Sequence, residues 1–105
     1  MTVSNISGEV LCTLNGKDYV LKPTFGALMR IELKADCSVL TLAAQALEGT
    51  LQVSHIATIL KFCMTEDITE EELGEMILLE GLVNTLPCVH ALMRVILEGT
   101  LKLDD

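Results

Sequence analysis

The sequence has no tryptophan, a single tyrosine (Tyr19) and two phenylalanines (Phe25, Phe62), although half of its 105 residues are apolar. Any core is therefore aliphatic, built from Leu, Ile, Val, Ala and Met, which suits packed helices. Basic residues are also scarce, 7 against 15 acidic, for a net charge of −8. This weighs against nucleic-acid binding, which needs clustered Lys and Arg to displace counterions. It weighs equally against docking on an anionic membrane surface. An acidic surface keeps a small protein soluble and steers basic partners toward it.

No stretch approaches the roughly 20 apolar residues of a membrane span. The opening "MTVSNISGEV" has neither a basic region nor a continuous apolar run, so it does not read as a signal peptide. The cytoplasm is the expected location, and cysteines there stay reduced. The four cysteines (Cys12, Cys37, Cys63, Cys88) are evenly spaced, but their flanks share no repeat and no CxxC occurs. With His55 and His90 they supply zinc-ligand types without the close pairs that zinc sites use. Cys88 and His90, two apart on a helix, point in different directions. The reading is buried reduced thiols, with no metal and no cofactor. GxSxG, HExxH, P-loop and GxGxxG motifs are all missing, so no catalytic residue is assigned and no enzyme is expected.

What the chain does contain is strong local punctuation. At this length one domain spanning residues 1–105 is expected, burying roughly 60 to 70% of its unfolded surface. Asn15-Gly16 signals a type I′ hairpin turn. A two-residue loop there sets Leu14 against Lys17, Cys12 against Tyr19 and Val10 against Leu21 on one mostly apolar face. Leu11 with Val20, Thr13 with Asp18 and the ion pair Glu9 with Lys22 lie on the other. The hairpin is expected over 9–22, and it must pack on something to be stable.

A helical body is expected over 24–99, with a short tail at 100–105. Thr24 caps a first helix ending near Asp36, whose apolar stripe holds Phe25, Leu28, Met29 and Leu33, opposite Arg30 and Lys34. Ser38 caps a second helix with Leu40, Ala43, Ala44 and Leu47 inside. A third starts near 52–54 and carries Ile56, Ile59, Leu60 and Cys63. In "ITEEEL", Thr69 and Glu72 form a capping box, and Ile68 and Leu73 a hydrophobic staple. Glu70, Glu71 and Glu72 complement the helix dipole, which explains them better than a metal site does. Pro87 fits the first turn of a final helix, with Val89, Leu92, Met93, Ile96 and Leu97 on one face and His90, Arg94 and Glu98 outside. "LEGTL" at 47–51 and 97–101, and "LEG" at 79–81, place a glycine after each apolar segment, as helix C-caps do. The fold class is α+β: an N-terminal β-hairpin followed by four to five short helices.

The order of "GEV", a short strand, "LNGKDYVLKPTFGALMRIE", then "DITEEEL" and "LLEGL" resembles the gene-transfer-agent family of small phage tail proteins. Members are described as tail tube-associated proteins or tail assembly chaperones. Gly8, Glu9, Gly16, Leu21, Phe25, Gly26, Ala27, Leu28 and Glu32 carry the match, which runs from about residue 8 to 98. Phe25 stands where the family pattern often has Leu, and Pro87 interrupts a segment often richer in Ala.

The resemblance implies a role in phage or prophage tail morphogenesis, most simply as an assembly chaperone for the tape-measure or tail tube protein. The alternatives are a structural tail tube component, found in the virion, and an interaction domain unrelated to phage. Self-association is a further option. A helix-in-groove mode would use Phe25, Leu28, Met29, Met76 and Met93 against the partner. Met29, Met64, Met76 and Met93 either give the groove adaptable walls or fill the core. The hairpin would cap the open side of the helices or offer an edge strand to another subunit.

Overall fold

A computed structural model describes residues 8–99. Two antiparallel strands, β1 (Val10–Leu14) and β2 (Lys17–Leu21), precede five helices: α1 (Phe25–Ala35), α2 (Val39–Glu48), α3 (Val53–Cys63), α4 (Glu70–Glu80) and α5 (Leu82–Glu98). The architecture is α+β. The tail expected at 100–105 lies outside the described residues, as do the last two residues of the second "LEGTL".

Asn15 and Gly16 adopt φ of 54° and 83°, the positive values a type I′ turn requires at both positions. Asn tolerates this region and Gly meets no Cβ penalty there. The register is the one the alternation predicts, with Val10 opposite Leu21, Cys12 opposite Tyr19 and Leu14 opposite Lys17. Val10, Cys12, Leu14, Tyr19 and Leu21 are buried, and β1 packs against α5 and α4. On the outer face the Thr13 hydroxyl donates to Asp18 at 2.6 Å, and Lys22 pairs with Glu9 at 3.2 Å. The outer edge of β2 is also used within the chain. Leu21 bridges Met64, the Lys22 N–H donates to the Cys63 carbonyl, and the Thr65 N–H donates to the Val20 carbonyl. The ribbon therefore caps the helices.

Helix starts follow the caps. Thr24 accepts from the Ala27 N–H and Ser38 from the Thr41 N–H, while Thr69 and Glu72 form the reciprocal box. The Glu32 carboxylate adds a bond from the Val39 N–H at 2.8 Å, holding α1 to the start of α2. Asp36 ends α1 in the left-handed region, and Gly49, Gly81 and Gly99 end α2, α4 and α5 with positive φ.

Four expectations need correction. Pro87 lies inside α5, which starts at Leu82 rather than at the proline. The lost hydrogen bond to the Val83 carbonyl is tolerated because the segment is tied down elsewhere. The Thr85 hydroxyl, fully buried, donates to the Gly81 carbonyl, and Asn84 donates to the Glu80 carbonyl. Next, the cysteines are not all thiols: Cys12 and Cys88 form a disulfide with Cα atoms 5.5 Å apart, while Cys37 and Cys63 are free. The register turns Cys12 inward from β1, and β1 packs on α5, whose inner face carries Cys88.

The other two corrections concern which side of a helix faces the core. On α1 the buried residues are Ala27 and Ile31, with Leu28 and Ala35 partly buried, while Phe25, Met29 and Leu33 point outward. On α2, Val39, Leu42, Ala43 and Ala46 are buried, and Leu40, Ala44 and Leu47 are exposed. In both, the inner face includes alanines, which let the helix axis approach its neighbour closely. The bulkier stripe is left outside. α3 buries Ile56, Ile59, Leu60 and Cys63 as expected, and α5 buries Val89, Leu92 and Met93 but leaves Leu97 exposed.

Candidate functional site

Eleven large apolar side chains are exposed among the described residues. Scattered singly they would need no explanation, but most fall into sets on particular faces. Phe25, Met29 and Leu33 recur every four residues along the outside of α1, with Phe25 78% and Leu33 80% exposed. Leu40 and Leu47 form a similar outer row on α2. Leu78, Leu79, Leu82 and Val83 crowd the junction where α4 and α5 meet at a 115° bend.

Of the residues expected at a partner surface, Phe25 and Met29 share the α1 stripe. Leu28, one position away, is turned toward the core. Met76 is half-buried on α4, with its sulfur 4.0 Å from the Tyr19 hydroxyl. Met93 is only 2% exposed and Met64 8%, so both belong to the core and present no surface. The five residues are thus not brought together into one groove.

Two hollows flank the α4–α5 junction. One, of about 290 Å³, lies between the hairpin and α4 and is lined by Tyr19, Ile68, Met76 and Leu79 with Lys17 and the carboxylates of Glu66, Glu72 and Glu75. The other, of about 170 Å³, is almost wholly apolar, lined by Ala46, Leu51, Val53, Ile56, Leu82 and Leu86. The caps and glycine ends of α4 and α5 give no sign of this region. A signal was present in the run Ile77-Leu78-Leu79. Successive helical residues are about 100° apart, so such a run cannot bury every member on one face.

Electrostatically, the lysines among the described residues are occupied within the chain. Lys17 pairs with Glu66, Lys22 with Glu9 and Lys34 with Glu70, and Lys61 donates to the Ile68 carbonyl at 2.7 Å. Asn15 ties the turn to α4 through its N–H to Glu80 and its amide to the Met76 carbonyl. Glu71 and Glu75, exposed on α4, make no ion pair or hydrogen bond among the described residues. His90 stands on the exposed side of α5 with Nε2 3.0 Å from the Ala46 carbonyl. Burial pushes the Cys63 thiol up to about 12, which keeps it protonated near neutrality. The polar groups thus serve mainly as caps and tethers, and the accessible surface is apolar and acidic. No single helix among the described residues is long and apolar enough to cross a membrane.

Residues 7–99 match a protein family described as phage tail tube protein, GTA-gp10. No curated protein and no solved structure matches the chain.

Proposed function

The chain belongs to the phage tail tube protein family of the gene-transfer-agent type, and from that premise we propose that it is a tail assembly chaperone, not an enzyme. Its client is an apolar helical segment of the tape-measure or tail tube protein, held in the host cytoplasm until the tail encloses it. The observation that carries this reading is the second apolar face on α1, α2 and α4, each helix having already buried another. A tape-measure chain is long and helical, and its apolar stripes are open to aggregation before assembly. A small acidic protein with exposed aliphatic rows can cover them in the helix-in-groove manner, and needs no metal or cofactor to do so. Burial of apolar surface gives such binding a negative heat-capacity change. Co-expression with the neighbouring tape-measure protein should raise that protein's soluble yield, and the chain should be missing from purified tails. Equal solubility without it, together with stoichiometric amounts in tails, would defeat the chaperone reading.

A structural role in the tube is the second reading, and two observations favour it. The family description itself names the tail tube. The Cys12–Cys88 disulfide suits a released particle, since disulfides persist in oxidising surroundings rather than in the cytoplasm. An interaction domain unrelated to phage no longer competes, given the family match.

A further inference from the structure

We propose that the α4–α5 elbow is the docking site for an amphipathic helix that carries a row of Lys or Arg beside a row of large apolar residues. The inference rests on the reading above that the chain holds a helical segment of a tail protein, and it names the surface and the chemistry of the occupant.

Leu78, Leu79, Leu82 and Val83 are all exposed within six residues of chain, although α4 has already buried Leu73 and Ile77. Leu79 lines the hollow beside Tyr19 and Met76, and Leu82 lines the apolar hollow beside Leu86. Three residues of chain span at most about 11 Å, so both hollows open beside the same elbow. Apolar side chains one to two turns apart on a helix are separated by about 5 to 11 Å along its axis. A ligand helix laid on Leu78 and Leu79 can therefore seat an apolar anchor in the hollow beside Leu79, which Glu75 also lines.

Charge selects the occupant. Glu71 and Glu75 stand four apart on α4, where like charges destabilise a helix, and neither has an ion-pair partner among the described residues. Glu75 also lines a shallow surface with Leu78 and Leu79. Lys17, at the first hollow, is already paired with Glu66. An uncharged helix laid here would desolvate the carboxylates without compensation, and a second copy of this chain brings a further −8 of charge. A basic row relieves both costs. The α1 stripe, by contrast, is followed by Arg30 and Lys34 and has no such preference for cations.

The test titrates the full chain into two labelled synthetic peptides of about 18 residues, long enough to hold a helix. One has a Leu face and a Lys face, the other a Leu face and a Glu face. The Leu/Lys peptide should bind more tightly, by at least about tenfold. Leu78→Ser with Leu79→Ser, both at exposed positions, should weaken its binding by about tenfold or more with an unchanged circular dichroism spectrum. Glu71→Gln with Glu75→Gln should weaken it by about threefold and flatten its salt dependence. Phe25→Ser with Met29→Ser should weaken it by less than the elbow leucine variant does. Wild-type affinity in the leucine variant, equal binding of both peptides, or binding of neither overturns the elbow proposal. If the loss falls on the α1 variant instead, or if co-expression rescues a tape-measure protein while the elbow variant rescues it equally well, the chaperone reading survives and the elbow does not.

Discussion

Cys63, at the end of α3, is buried, and its thiol pKa is raised from 9.0 to about 12 by desolvation. The unfolded chain ionises this thiol near pH 9, while the folded chain keeps its proton. Between those two values the folded state binds more protons, so stability falls as pH rises, by about 1.4 kcal/mol per pH unit, and below pH 9 this contribution is constant. Urea unfolding from about pH 8 to about pH 11 should show a steeper loss in the native sequence than in Cys63→Ala, whose own cavity cost is independent of pH. Parallel curves would show that the thiolate is accommodated in the fold. At this scale the sequence pointed to a buried thiol correctly for Cys63. It did not separate Cys63 from Cys12 and Cys88, because a partner 76 residues away leaves no local mark.

Among the elements, α4 carries the most complete cap, the reciprocal box of Thr69 and Glu72. Its inner face is limited to Leu73 and Ile77, and its first turn holds three glutamates. The box between Thr69 and Glu72 satisfies N–H groups that α3 does not reach, with bonds of 3.1 Å in both directions. Thr69→Ala should lower global stability by about 0.5 to 2 kcal/mol, read as a shift in the chemical denaturation midpoint at constant slope. An unchanged midpoint would mean that the cap contributes nothing in solution. The cap was legible because its signature is contained in four residues. The start of α5 was not: Pro87 read as a first-turn residue, yet burial of Thr85 and packing of Leu86 carry the helix upstream of it.

For the whole molecule, the disulfide joins the hairpin to the last helix and closes most of the described chain into one loop. Closing a loop of that length in the unfolded state stabilises the fold by about 4.5 kcal/mol in the chain-entropy account, against a usual range for disulfides of about 2 to 4. Thermal unfolding of the oxidised protein should therefore lie well above that of Cys12→Ser with Cys88→Ser, and reductant should lower the former alone. Coincident melting temperatures would show that the packing of Val10 and Leu14 on α5 and α4 suffices by itself.

The sequence by itself determined the features whose physical cause is short-ranged: the Asn15-Gly16 turn and its register, the caps at Thr24, Ser38 and Thr69, and the glycine helix ends. Each follows from steric limits or hydrogen bonds within a few residues. Which apolar face of α1 and α2 turns inward was decided only by the tertiary structure. Both helices carry two apolar faces, and local periodicity does not rank them. The faces containing Ala27, Ala43 and Ala46 go inside because the small side chains permit close packing against neighbouring elements. Phe25, Met29, Leu33, Leu40 and Leu47 are left exposed as a consequence. The pairing of Cys12 with Cys88 and the elbow at Leu78–Val83 have the same origin, since both depend on elements that meet only after the chain has folded.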